Sequence, residues 1–270
     1  MKLDEQKIGF LGAGKMASAI IRGLIKSGIS KDNICAGEKY EPASETARKD
    51  FGIFVTGDNA EIVKRSDVLI LAVKPKDIAA ALSTAGSLEN KLFISIAAGV
   101  TTASLEEMAG KNARVVRVMP NICATVLESA TGICPGKNAS KEDIDLVKAV
   151  FSTVGVAMEI GEELLDAVTG LSGSGPAYIF PVIEALADGG VYEGLDRRTA
   201  QILAAQTVIG AAKMVIESGD HPGELKDMVC SPAGTTIVGI QTLEDYKIRA
   251  AFMNAVIASA EKSKEIGKKK

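Results

Sequence analysis

The stretch Gly12-Ala13-Gly14-Lys15-Met16-Ala17 constrains this chain more than any other. It follows the apolar run Lys7–Leu11 directly and opens an amphipathic segment, Lys15–Ser27. This is a G-x-G-x-x-A pattern in the strand–turn–helix setting that gives it meaning. The first glycine permits a tight turn, the second lets a pyrophosphate reach the backbone, and Ala17 lets helix pack closely on strand. Alone, the pattern is also compatible with a glycine turn that holds no ligand. The rest of the first half decides the matter, because its βαβ rhythm continues.

Strand-like runs recur at Asn33–Ala36, Ile53–Val55, Asp67–Val73, Lys91–Ala97 and Arg114–Met119. Helix-like segments separate most of them: Ala43–Lys49, Asn59–Arg65, Ile78–Ala85 and Ser104–Ala109. Alternation of this kind predicts a parallel sheet with helices on both faces. Thr131–Cys134 reads as a further strand, Lys141–Thr153 as a helix capped by Ser140, and Val156–Ile160 as a last strand.

The texture changes after about Gly161. Leu164–Val191, Arg197–Glu217, Gly223–Val229, Pro232–Ile240 and Leu243–Ile266 all read as helix, with no strand-like run between them. Ile202, Ala205, Gln206, Ile209, Ala212, Lys213 and Ile216 form a stripe at helical spacing, and small residues such as Ala204, Gly210 and Ala211 permit close helix approach. So much apolar helix face in so small a unit predicts burial against a second copy. The expected architecture is α/β: a Rossmann-type, mainly parallel sheet domain (1–161) followed by an all-helical domain (162–270) that dimerises and carries substrate.

Composition closes several alternatives. A formal net charge of −3 leaves no basic footprint for nucleic acid, and the Lys268-Lys269-Lys270 run reads as a solvated tail. Cys35, Cys123, Cys134 and Cys230 are scattered, and with one histidine in the chain, His221, no metal-ligand spacing arises. A reducing cytoplasm is the expected compartment. Met1-Lys2-Leu3-Asp4-Glu5-Gln6 is polar, so no charged-then-apolar leader is expected, and no run of about 18 uninterrupted apolar residues predicts a membrane span.

On the dinucleotide side, Gly37-Glu38-Lys39 falls about 20 residues past the glycines. An acid there bonds a ribose 2′-hydroxyl and favours NAD; the adjacent Lys39 instead suits a 2′-phosphate. Ala72-Val73-Lys74-Pro75 and Ala97-Ala98-Gly99-Val100 close the fourth and fifth strands, at the strand ends where open α/β sheets bind ligands. On the helical side, Ser231-Pro232 is a helix-start signal, with Ser231 as cap and Pro232 where its missing N–H costs nothing. Ala233, Gly234, Thr235 and Thr236 then set small side chains and free N–H groups at a helix mouth, a site for a small anion. It holds hydroxyls and amides but neither a strong acid nor a base.

These motifs occur in one order with Arg117-Val118-Met119-Pro120-Asn121, Asp166 through Tyr178, Ala187-Asp188-Gly189-Gly190-Val191 and His221 through Lys226. Together, along nearly the whole chain, they resemble pyrroline-5-carboxylate reductase. The resemblance implies hydride transfer from NADPH, or NADH, to the C=N bond of 1-pyrroline-5-carboxylate, giving L-proline, with the helical domains of two subunits interlocked. It implies substrate contacts at Ser231, Thr235 and Thr236, with Thr236 as proton donor or orienter at the ring nitrogen, and Glu162 bordering the ligand. It implies cofactor contacts at Gly12, Gly14, Lys15, Met16, Asn59, Ala72, Val73, Lys74, Pro75, Ala97 and Ala98, with Glu38 near the ribose. Two departures stand out: an acid at Glu38 where hydroxyl or arginine chemistry is usual, and Ile122-Cys123 where many members show Thr-Pro.

The residue chemistry is compatible with an imine. Ketone reduction makes an alkoxide and calls for a placed acid, whereas a cyclic iminium brings its own proton and loses charge as hydride arrives. Orientation and carboxylate capture then matter most. A β-hydroxyacid dehydrogenase shares the two-domain plan but needs a lysine early in the helical domain, and Gly170–Val182 has none. A non-catalytic nucleotide sensor would have no use for the Ser231–Thr236 mouth.

Overall fold

The computed structural model describes residues 2–110 and 112–268. Of the terminal lysine run, Lys269 and Lys270 lie outside the described residues. By contacts the chain divides into two compact units, one comprising the residues up to Ser174 together with those from Ala258 onward, the other Gly175–Ile257.

The first unit is built on β1 (Ile8–Leu11), α1 (Lys15–Lys26), β2 (Ile34–Gly37), α2 (Glu41–Phe51), β3 (Phe54–Thr56), α3 (Asn59–Arg65) and β4 (Val68–Leu71). It continues through α4 (Ile78–Ser83), β5 (Leu92–Ser95), α5 (Thr102–Ala109), β6 (Arg114–Met119), β7 (Ser129–Pro135), α6 (Lys141–Ser152) and β8 (Gly155–Glu159). The eight strands form one sheet in the order β3-β2-β1-β4-β5-β6-β7-β8. All pairings are parallel except β6 with β7, where Val116 faces Pro135 and Met119 faces Gly132. The strand order reverses between β1 and β4, which makes the carboxyl ends of those two strands the switch point where ligands bind.

Alternation along the strands separates two cores. Ile8, Phe10, Ile70, Ile94, Val116 and Val118 face one side with Ile20 and Leu24 of α1, Phe51 of α2 and Val147, Val150 and Phe151 of α6. Leu11, Leu69, Leu71, Phe93 and Val115 face the other, against Ile62 of α3, Ile78 of α4 and Leu105 of α5. Helices thus cover both faces, which is why the strands read as unbroken apolar runs.

The polar joint of the first unit is Asp143, whose side chain is fully buried. One carboxylate oxygen accepts from Arg114 at 2.6 Å; the other accepts the Ser140 N–H at 2.9 Å, closing the capping box of α6.

After β8 come a short turn, Glu162–Leu164, and α7 (Leu165–Val168). The second unit holds α8 (Gly175–Tyr192), α9 (Arg197–Ser218), α10 (Pro222–Val229) and α11 (Thr235–Asp245), and α12 (Ile248–Lys268) carries the chain back into the first. Ala187 of α8 packs on Ala200 and Ala204 of α9, as small residues at helical spacing permit.

Three sequence expectations are corrected. The predicted helix Leu164–Val191 is interrupted by a π turn at Thr169–Gly173, closed by the Ser174 N–H on the Thr169 carbonyl at 2.8 Å. Gly173 lies there so close to Met119 that a Cβ would stand 2.9 Å from its methyl carbon. The predicted helix Leu243–Ile266 begins only at Ile248, because Lys247 takes the left-handed conformation at φ 56°. And the helix expected from Pro232 begins at Thr235 with Gly234 as its cap. Ser231–Gly234 is instead a turn, closed by the Gly234 N–H on the Ser231 carbonyl, with Pro232 at its second position and Ala233 at φ 56°. Proline suits the second position of such a turn as well as it suits a helix start, and here the turn wins.

Replacing Asp143 with Ala leaves the Ser140 N–H and Arg114 without their partner. The expected cost is about 2–4 kcal/mol of folding stability, read from urea denaturation, with the midpoint moving and the slope unchanged.

Candidate active site

The glycine loop sits at the switch point and is shaped by its neighbour strand. Gly12 takes φ 99°, and a Cβ there would stand 2.9 Å from both the Ala72 carbonyl oxygen and a Val73 methyl. The Gly12 N–H donates to the Gly37 carbonyl at 2.8 Å, and the Ala72 N–H to Leu11 at 2.8 Å, so β1, β2 and β4 all hold the turn. Gly14 is the opposite case: nothing lies within 4 Å of its missing side chain. It caps α1 with no side-chain hydrogen bond and with no acidic residue in the first turn. The first turn of α1 thus starts without a side-chain acceptor for its N–H groups and with space left open at Gly14, an arrangement that suits a pyrophosphate. Lys15 is exposed and Met16 half-buried.

Other expected cofactor residues gather at the same sheet end. Gly12, Glu38, Lys39, Asn59 and Val73 line a cavity of about 310 Å³. Asn59 is buried and donates to the Ala81 carbonyl at 3.0 Å and the Thr84 hydroxyl at 3.1 Å, so its amide braces α3 against α4 while bounding the cavity. Lys74 is exposed, and Pro75 starts a single helical turn. Ala97 is buried with its N–H on Ser95, while Ala98 is exposed beside Gly99.

Glu162 has partners that sequence reasoning did not find. Its carboxylate accepts the Thr102 N–H at 2.7 Å, the Thr102 hydroxyl, and a nitrogen of Arg117 at 3.2 Å. Burial pushes this carboxyl up, but the Thr102 hydrogen bonds and Arg117 outweigh it and hold the group below its ordinary value of 4.5. Arg117 lies in β6 with its side chain only 8% exposed, and a buried arginine inside an apolar strand was the available signal that a carboxylate must meet it. Because Thr102 opens α5, Glu162 ties the start of that helix, just beyond Ala97–Gly99, to β6. Nearby Cys134 is pushed up to about 11, chiefly by burial and then by Glu162, so it is an inert thiol. Asn121 likewise bridges: it accepts the Cys123 N–H at 3.0 Å and donates to the Ser172 carbonyl at 3.0 Å.

In the helical unit the Ser231–Thr236 run forms a second open helix mouth. Helices α3, α5, α6, α9 and α10 start from side-chain caps: Asp58, Thr101, Ser140, Asp196 and His221. In contrast α11 starts from Gly234, with no side-chain cap and no acid in its first turn, as α1 does. Thr235 is exposed and Thr236 half-buried. His221 spends its Nδ1 accepting the Gly223 N–H at 3.0 Å, which makes it a structural cap. Among the described residues no group of His, Cys, Asp and Glu has the arrangement of a metal site.

Within the first unit, a switch-point glycine loop, the glycine-capped start of α1 and a cavity lined by Gly12 and Glu38 define a dinucleotide-binding protein of the Rossmann class. The family model described as pyrroline-5-carboxylate reductase dimerisation matches residues 162–266, and that described as NADP oxidoreductase, coenzyme F420-dependent, matches residues 7–99. The chain is 59% identical over 270 residues to a pyrroline-5-carboxylate reductase of Methanosarcina acetivorans, covering 99% of this chain and 100% of that one. It belongs to the pyrroline-5-carboxylate reductase family, and is an NAD(P)H-dependent oxidoreductase. A solved structure of the Coxiella burnetii enzyme superposes with TM-score 0.91 at 36% identity, covering 97% of this chain and 98% of that one. The Plasmodium falciparum pyrroline carboxylate reductase, solved with NADP bound, gives 0.87 at 35% identity, covering 98% and 100%.

The two glycines predict opposite outcomes. Gly12→Ala forces a Cβ against the Ala72 carbonyl at positive φ and should cost about 1–3 kcal/mol. Gly14→Ala meets nothing and should leave thermal unfolding nearly unchanged, yet weaken dinucleotide binding followed by nicotinamide fluorescence.

The Glu162 tie should also show in acid. A carboxyl held low in the folded state contributes stability that is complete above its unfolded value and is lost as pH falls through the folded one. The stability gap between the native protein and Glu162→Gln should therefore be constant from neutrality to about pH 5 and close below it, in thermal unfolding read at each pH. A gap that stays constant down to pH 3 removes the tie from the account.

Proposed function

We propose that this protein reduces the C=N bond of 1-pyrroline-5-carboxylate to L-proline, the last step of proline biosynthesis, in the cytoplasm. The observation that carries the reading is the pair of helix mouths, α1 and α11, left glycine-capped and free of acid where five other helices have side-chain caps. One suits a pyrophosphate; the other suits a small carboxylate.

The nicotinamide, when bound, supplies the hydride. Gly14, Lys15 and Met16 receive the cofactor's phosphates, with Glu38 and Asn59 on the adenosine side and Ala72, Val73, Lys74, Pro75, Ala97 and Ala98 along its path. Ser231 and Thr235 contribute hydroxyls, and the N–H groups of Thr235 and Thr236 hold the substrate carboxylate. The Thr236 hydroxyl faces the ring nitrogen and orients it or keeps its proton in place. The iminium is discharged as it is reduced, so no stronger acid is needed. Glu162 acts from the border of the site as a positioning residue, by fixing the start of α5.

Self-association through the helical unit belongs to the same reading. Helix α9 is, by length and composition, apolar enough to cross a membrane, yet only 11% of its apolar window is buried within the chain. Phe180, Leu186, Ile202, Leu203, Ile216 and Val238 are exposed as well. A second copy, as the dimerisation family match suggests, covers such a surface without a bilayer. All four cysteines are free, in keeping with a reducing compartment.

Purified protein with 1-pyrroline-5-carboxylate should oxidise NADPH or NADH at the nicotinamide absorbance and form proline; no proline with either cofactor overturns the reading. Thr236→Ala should lower kcat by about 10²-fold while changing cofactor affinity little. Unchanged turnover removes Thr236 from the mechanism.

A further inference from the structure

The end of β2 carries information about which cofactor this chain prefers. In a doubly wound fold the adenosine ribose lies at the carboxyl end of β2, and the side chain just past that strand meets the 2′-oxygen. Here that side chain is Glu38, the residue after Gly37, and its carboxylate is fixed in place. The Ala13 N–H donates to Oε2 at 3.0 Å and the Tyr40 N–H to Oε1 at 2.9 Å. The Glu38 main chain is held too: its N–H donates to the Thr56 carbonyl at 2.9 Å and its carbonyl accepts the Ser44 hydroxyl at 3.0 Å. The negative charge is therefore pinned to the glycine loop itself, at the edge of the cavity bounded by Gly12, Asn59 and Val73.

Of the cations around it, two are engaged elsewhere. Arg48 pairs with Glu41 at 2.8 Å and donates to the Val55 carbonyl at 3.3 Å. Arg22 lies over the Phe51 ring, 5.9 Å from its centroid. Lys39 lines the same cavity, but it is solvent-exposed, where its charge is screened, and it makes no ion pair with Glu38; Lys15 is exposed at the mouth of α1. A 2′-phosphate would bring as many as two further negative charges to a half-buried carboxylate that would have to give up two backbone hydrogen bonds to move aside. A 2′-hydroxyl, by contrast, donates to a carboxylate oxygen, each of which has a second lone pair to offer after accepting one backbone N–H.

We propose that Glu38 selects against the 2′-phosphate, so that this chain prefers NADH to NADPH. The proposal rests on the dinucleotide-binding reading of the glycine loop and deepens it. Like charges a few ångströms apart in a partly solvated site separate the two cofactors by about tenfold or more.

The test is binding without substrate. NADH and NADPH are titrated separately into the full-length protein at one fixed ionic strength and followed by nicotinamide fluorescence, for the native protein and for Glu38→Gln, Glu38→Asp and Lys39→Ala, with thermal unfolding confirming that each is folded. The native protein should bind NADH at least about tenfold more tightly than NADPH. Glu38→Gln should bring the ratio to within about threefold, with NADPH binding tightened; Glu38→Asp, which keeps the charge, and Lys39→Ala should both keep the NADH preference. Equal or tighter NADPH binding by the native protein overturns the proposal, as does a ratio that follows Lys39 and ignores Glu38. Failure to bind either dinucleotide overturns the cofactor reading itself, whereas equal binding of both, with proline still formed, overturns only the selection by Glu38.

Discussion

The close approach of the β1–α1 turn to β4 is the constraint on which the nucleotide half depends. Position 12 has to be glycine, both because its φ is 99° and because the Ala72 carbonyl and the Val73 side chain occupy the space a Cβ would fill. That approach aims the first turn of α1 across the end of the sheet, and the strand order reverses at this same point. One backbone geometry thereby has two consequences. The start of α1 is left without a side-chain cap, and the end of β2 is drawn near enough for Glu38 to reach the loop. The loop is thus the element through which β1, β2 and β4 are mechanically joined, as well as a candidate phosphate cradle.

Much of the first unit was legible because its signals are local and its burial is two-sided. Strands buried on both faces read as continuous apolar runs, and the helices between them carry one apolar stripe each, so the βαβ order emerges from periodicity. What escaped was decided by contacts far apart in sequence or by competing local chemistries. Pro232 satisfies the rule for a helix start and the rule for a turn's second position, and nothing in the sequence ranks the two. The break at Lys247 carries no glycine or proline to announce it. The packing of Met119 against Gly173, more than 50 residues away in the chain, likewise left no local mark.

The candidate site divides along the same line. Residues that act through backbone geometry, such as Gly12, Gly14 and Gly234, were visible because glycine is a local statement about the chain. Residues that act through pairing were not. The tie among Glu162, Thr102 and Arg117 spans as many as 60 positions, and only the unease of an arginine in an apolar strand hinted at it. Its physical logic is nonetheless simple. A nearly buried guanidinium demands an anion, and the anion it receives also takes the first N–H of α5. One carboxylate answers both demands, and the loop beyond β5 is held as a result.

The two open helix mouths also say something about the limits placed on the chemistry. Capping a helix with Ser, Thr or Asp contributes about 1 kcal/mol, and this chain uses that device at α3, α5, α6 and α9. Helices α2 and α4 lack a side-chain cap as well, but α1 and α11 combine that lack with glycine at the cap and no acid in the first turn, at a cost of only a few tenths of a kcal/mol. A ligand that brings its own negative charge restores the missing hydrogen bonds at the moment of binding. An acidic cap at either mouth would compete with that ligand for the same N–H groups. Glycine at the cap, together with a first turn free of carboxylates, is therefore the arrangement expected where an anion must come and go. Glu38 fits this logic by contrast: its charge is near the α1 mouth, but it is held on the Ala13 N–H, one residue before the cap. The position leaves the phosphate-facing amides free while setting a negative charge beside the ribose, where it discriminates between cofactors without blocking the part they share.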